Sequence, residues 1–151
     1  MKKISILILV ATLAVPLLAR AEKTLLNLNA SGVAIQGYDP VAFFTDGKPV
    51  KGSEKFTAKR DGAIYQFASK EHLKTFLADS AKYEPAYGGY CAYGVSRDKL
   101  VEVDVNAFQI VDGRLLLQYS PTVKETFNKD AKANLAKAEA NWPKLVDQKG
   151  K

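Results

Sequence analysis

Two Asp-Gly dipeptides constrain this chain more than any other feature. Asp61-Gly62 and Asp112-Gly113 each lie between short runs rich in β-forming residues. Such a dipeptide supplies the positive φ angles of a two-residue hairpin turn. Before the first turn, Lys55-Phe56-Thr57-Ala58-Lys59 alternates, with Phe56 and Ala58 on one face. After it, Ala63, Tyr65 and Phe67 share a face. The second turn joins Phe108–Val111 to Leu115–Tyr119. Val41–Thr45, closed by Asp46-Gly47, reads as a further strand. The pattern predicts one small antiparallel sheet of about five strands.

Helices are predicted between and after the hairpins. Ser69 is a good N-cap for Lys70–Ala78, where Leu73, Phe76 and Leu77 make an i, i+3, i+4 apolar face. Ser120 followed by Pro121 is a strong second start signal. Beyond it, Val123, Phe127, Ala131, Leu135, Ala138 and Trp142 form one apolar stripe able to cover a sheet face. Asn128 or Asp130 is a candidate break in that stripe, and Pro143 is its expected end. The predicted fold class is α+β, with one helix between the hairpins and C-terminal helices packed on the sheet.

The N-terminus predicts export. Lys2 and Lys3 precede an uncharged, almost wholly apolar run of 16 residues, Ile4 to Ala19, and Ala19-Arg20-Ala21 follows as a small-x-small cleavage site. That order is a secretory signal. The run is a little under the ~20 residues needed to span a bilayer, and Pro16 opposes an anchor helix. The organisation read from the sequence is a signal peptide at 1–21, an entry segment at 22–32, one domain at 33–143 and a polar tail at 144–151. A periplasmic or secreted protein of 130 residues, without a membrane anchor after cleavage, is expected. Loss of Lys2, Lys3 and Arg20 lowers the formal charge from +6 to +3. The remaining positive charge is scattered, and its longest cluster, Lys59-Arg60, is too short to track a phosphate backbone. Nucleic acid is therefore not an expected partner.

Chemistry concentrates in one stretch. Residues 83–95 hold four tyrosines, three glycines and the chain's single cysteine, Cys91. One reading is a tight, Tyr-packed crossing of the core, and the other is a ligand pocket with Cys91 at its floor. A lone cysteine forms no internal disulfide, so Cys91 is buried, metal-bound or paired with another chain. The only histidine, His72, falls in the first turn of the predicted helix.

Several uncommon strings occur together: Gly37-Tyr38-Asp39-Pro40-Val41-Ala42, Gly62 to Ser69, His72, and Tyr87-Gly88-Gly89-Tyr90-Cys91-Ala92. In this order they resemble the exported YHS-domain proteins, from about Val33 to Trp142, and Tyr65, Ser69 and His72 lie in the block similar to the motif that names that family. Shorter YHS domains occur in metal-transporting ATPases and some oxygenase components, so the resemblance implies metal binding as one role. In those domains the Asp-Pro-Val string is typically followed by cysteine, whereas Ala42 stands here.

Three functional expectations follow. The favoured one is a binding or interaction module rather than an enzyme, with Tyr38, Asp39, Tyr87, Tyr90, Cys91 and Tyr93 as ligand-binding residues for a small ligand or an exported protein partner. The alternative is metal handling, with Cys91 and His72 as ligands for copper or zinc. The third is a thiol enzyme with Cys91 as nucleophile and His72 as base, although no Cys-x-x-Cys motif is present.

Overall fold

The computed structural model describes residues 22–151. The signal-peptide reading of residues 1–21 lies outside the described residues. Both hairpins form as the turn chemistry requires. Strand β1 (Ser53–Arg60) pairs antiparallel with β2 (Ala63–Phe67), and β3 (Asp104–Val111) pairs with β4 (Arg114–Gln118). Asp61, Gly62, Asp112 and Gly113 all take positive φ. Each hairpin carries one irregularity in its first strand, between Ser53 and Thr57 and between Asp104 and Phe108.

The single five-stranded sheet does not form. The hairpins are two separate two-stranded sheets. The expected strand at Val41–Thr45 is instead a short helix, α1 (Ala42–Thr45). Asp39 explains the reversal. Its Oδ1 accepts from Val41 N at 2.8 Å and from Ala42 N at 3.4 Å, closing an Asx turn that starts a helix. Local capping thus overrides the β preference of Val-Ala-Phe-Phe-Thr.

Between the hairpins run α2 (Lys70–Ala78), α3 (Ser80–Tyr83), a left-handed turn at Tyr87-Gly88-Gly89, and α4 (Ala92–Ser96). Ser69 caps α2 as expected, its hydroxyl accepting from His72 N at 3.1 Å. Phe76 is fully buried and Leu73 packs beside it, but Leu77 is 62% exposed. The nine-residue helix meets its neighbours along a narrow line, and Leu77 falls just past it.

The C-terminal stripe divides at Asp130. Helix α5 (Pro121–Asn128) is capped by Ser120, and α6 (Ala131–Lys149) is capped by Asp130. Pro143 does not end α6, which continues through the expected polar tail to Lys149. Leu145 is buried beyond the proline, and Lys151 exchanges backbone hydrogen bonds with Thr24, so tertiary contacts hold the last turns.

Strand β4 is the wall between two cores. Its residues alternate in direction, as strand geometry dictates. Leu115 and Leu117 join Phe43, Phe67, Phe76 and Tyr65 on one side. Leu116 joins Val95, Phe127, Ala138 and Leu145 on the other. Each of these leucines contributes about 1.5–3 kcal/mol by burial. The second edge of β4 is covered by the Tyr/Gly-rich segment, through parallel bridges from Pro85 to Leu115 and from Cys91 to Leu117. That segment is therefore a structural strip as well as a surface.

The entry segment lies across this strip. Asn27 N donates to Gly88 O at 2.8 Å, and the Asn27 amide donates to Gly89 O at 3.3 Å. Gly88 has φ +59°, and a Cβ there would lie 2.0 Å from Leu25 O. Only glycine meets both demands. Gly88→Ala should therefore cost about 1–3 kcal/mol and release the entry segment. Denaturant titration together with hydrogen exchange at Asn27 checks this, with loss of Asn27 protection as the expected signature.

Candidate functional site

Cys91 does not floor an open pocket. It is 1% exposed and caps α4 through its sulfur. The thiol donates to Gln118 Oε1 at 3.3 Å, while Gly94 N–H and Tyr119 N–H donate to Sγ at 3.4 and 3.3 Å. Gln118 is itself wholly buried, and its Oε1 also accepts from Tyr93 N at 3.0 Å. Gln118 Nε2 has no hydrogen-bond partner among the described residues. The thiol thus ties β4 to α4. Burial removes it from solvent and from other chains, the condition under which a free cysteine is inert. Native protein should resist thiol reagents and become reactive only on unfolding; rapid stoichiometric labelling of folded protein by a disulfide reagent would contradict this placement.

The tyrosines of the segment do different work. Tyr87 is buried in left-handed backbone, edge-on to Trp142 at 5.9 Å, and donates to Glu139 Oε1 at 2.8 Å. Arg114 stacks over the Tyr87 ring and donates to the same Glu139 oxygen at 2.5 Å. Burial, then the Glu139 hydrogen bond, raises the Tyr87 pKa, keeping the phenol a donor. At Glu139 burial acts upward, but the bonds from Arg114 and Tyr87 outweigh it and hold the carboxyl below its ordinary 4.5. Stability from this cluster is therefore present above that value and lost as pH falls through the lowered folded-state value. Urea midpoints measured over about pH 3–6 should fall on the acid side in the native protein, and less steeply in Glu139→Gln.

Tyr90 is half-buried, and its hydroxyl donates to Leu26 O at 3.4 Å. Burial, then Glu102, raises its pKa. Tyr93 accepts from Arg97 at 2.9 Å beneath the same guanidinium. Tyr38 stands apart, with Lys51 Nζ over its ring at 4.6 Å.

Asp39 and His72 form the second constellation. Asp39 is 0% exposed. Its Oδ2 accepts from His72 Nδ1 at 2.6 Å and from Ala68 N at 2.8 Å, while Oδ1 serves the α1 turn. A carboxylate out of water needs such partners. His72 keeps 20% side-chain exposure, with Nε2 turned to Thr45 Oγ1 at 3.4 Å and Asp46 Oδ1 at 3.9 Å. The sequence singled out Asp39 and His72 but missed their pairing, and it missed Asp46, Thr45 and Gln118. The Asp-Pro string, read as an Asx turn entering a helix, was the available signal. Asp39→Ala should cost about 3 kcal/mol, read from the denaturation midpoint, because several donors lose their acceptor together.

The structure does not bring Cys91 and His72 into one site. They share no hydrogen-bond partner. Helix α2 packs on β1, β2 and α3, whereas α4 packs on α6, β4 and α5. Among the described residues no group of three or more His, Cys, Asp and Glu side chains is placed to hold a metal ion. Nor does Cys91 have the imidazole neighbour that a Cys–His nucleophile requires. No helix among the described residues is long and apolar enough to cross a membrane.

Open space lies on the other side of the Tyr/Gly segment. A cavity of about 650 Å³ is bordered by Leu25, Leu26, Leu28, Leu100 and Tyr90. Lys149, Lys151 and Asp61 also line it. A hollow of about 240 Å³ flanks the same entry segment and includes Tyr87, Gly88 and Trp142. The chain matches no protein-family model, no curated protein and no solved structure.

Proposed function

We propose that this protein is an exported binding module of the YHS kind, which takes its ligand beside the Tyr/Gly-rich segment rather than at the thiol. The observation that carries the reading is the cavity of about 650 Å³ under the entry segment. Its volume falls within the range of small-molecule sites, about 300–1,000 Å³. Leucines and the Tyr90 ring supply an apolar wall, and Lys149 and Lys151 supply positive charge. This chemistry suits an amphipathic ligand with an apolar body and an anionic end. Cys91 serves the module as a buried fastener, and Tyr87 as a support for the adjoining hollow.

Trp142, the only tryptophan, borders that hollow and reports on it by fluorescence. Titration with anilinonaphthalene sulfonate, an apolar ring system bearing one sulfonate, should show saturable one-site binding with a change in Trp142 emission. Leu100→Arg should abolish it, and the double variant Lys149→Glu, Lys151→Glu should weaken it. Absence of saturable binding, or binding indifferent to Leu100→Arg, would refute the groove as the site.

A further inference from the structure

A site of opposite charge flanks the same entry segment. The hollow of about 240 Å³ is walled by Tyr65, Tyr87 and Trp142, together with Leu25 and Pro85. Asp61 and Glu84 border it as well. Lys23, which also lines it, is already engaged: its Nζ donates to Asp147 O at 2.6 Å and lies 3.6 Å from the Asp147 carboxylate. Arg60 Nε lies 3.7 Å from Asp61 Oδ2 and also against Glu84 Oε1, so one guanidinium serves two carboxylates. Beside Tyr87, Arg114 and Glu139 balance each other. With Lys23 paired to Asp147 and Arg114 to Glu139, the Asp61–Arg60–Glu84 group is left with one negative charge in excess.

We infer that this hollow binds a small primary ammonium ion, its charge on the Glu84 and Asp61 side and its alkyl body against Trp142 and Leu25. The excess negative charge selects a cation, and the aromatic walls attract one through their ring quadrupoles. Leu25 and Pro85 add apolar surface that buries methylene groups. The Glu84 carboxylate selects a cation that carries N–H groups. Its Oε1 is closed to water and meets Arg60 Nε without a well-directed hydrogen bond. A primary ammonium brings three donors to such an oxygen, whereas a quaternary one brings none. The titrating groups respond to the same field. Burial, then the charges of Glu84 and Asp61, pushes the Tyr65 phenol up. Burial also raises the Glu84 carboxyl above its ordinary 4.5, against the pull of Arg60, so a second cation there has charge left to neutralise. The volume sets the scale of the ligand, since about 240 Å³ is below the usual range for drug-sized molecules, about 300–1,000 Å³. This inference stands independently of the groove reading, because the two sites ask for ligands of opposite charge.

Titration with n-butylammonium chloride at neutral pH and low salt, followed by Trp142 emission and by calorimetry, should show saturable one-site binding. Tetramethylammonium, which has the charge without the donors, and 1-butanol, which has the alkyl body without the charge, should both bind more weakly. Glu84→Gln should weaken butylammonium binding about 10–100-fold, the loss expected for a hydrogen bond to a charged group. Asp61→Asn should weaken it about 2–5-fold, as for a more exposed ion pair. Asp61 has a positive φ in an exposed turn, a conformation that Asn adopts readily, so this variant remains informative if Glu84→Gln fails to fold. Absence of saturable binding, 1-butanol binding as tightly as the amine, or binding unweakened in either carboxylate variant would each overturn the site. Leu100→Arg should leave amine binding intact, and Glu84→Gln should leave dye binding intact, so failure of one site is told apart from failure of the other.

Discussion

The buried carboxylate of Asp39 is the constraint on which the rest of this corner depends. It joins the turn into α1 to a stretch distant in sequence that holds Ala68, just after β2, and His72, in the first turn of α2. A carboxylate with no exposure persists only if its lone pairs are used, and here both oxygens are engaged. The same interaction bends Val41–Thr45 into a helix and carries Phe43 into the core against Phe108 at 4.9 Å. It also aims the free nitrogen of His72 at the oxygens of Thr45 and Asp46.

A second dependence runs through β4. This strand supplies side chains to both cores, yet among the described residues it pairs with only one regular strand. An uncovered edge would leave backbone groups without partners. The Tyr/Gly segment covers it, and Cys91 fastens the cover through Gln118 and Tyr119. Burial in this fastening role also keeps the thiol away from solvent. The concentration of tyrosine and glycine has the same origin. Gly88 admits the entry segment at close range, and Tyr87 anchors the left-handed turn to α6 through Glu139. What is left open, on the Tyr90 side, is the groove proposed above as the ligand site.

Features governed by neighbours in sequence were legible from the sequence. The Asp-Gly hairpins, the Ser69 cap, the Ser120-Pro121 start and the break at Asp130 are all set within a few residues, and all are present. The features that depended on distant partners were not. Val41–Thr45 is the exception: it has the composition of a strand, but the Asx turn of nearby Asp39 decides its conformation, a local signal that the run of β-formers masked. Pro143 has the look of a terminator, but burial of Leu145 and the Thr24–Lys151 pairing carry the helix past it. The site behaved likewise. Tyr87, Cys91, Asp39 and His72 were visible as unusual residues, while their partners Glu139, Gln118 and Asp46 carry no local signal. Pairing Cys91 with His72 rested on residue type alone, and the fold commits each to different neighbours.

The coupling between Asp39 and His72 is the quantity that bears most directly on this arrangement. A double-mutant cycle on folding free energy, using Asp39→Asn and His72→Gln singly and together, isolates it. A coupling of at least about 1 kcal/mol is the expected result, since residues sharing one buried hydrogen-bond network are non-additive by about 0.5–3 kcal/mol. Additivity within about 0.3 kcal/mol would contradict the role given to Asp39, because the carboxylate would then hold the α1 turn without holding the imidazole.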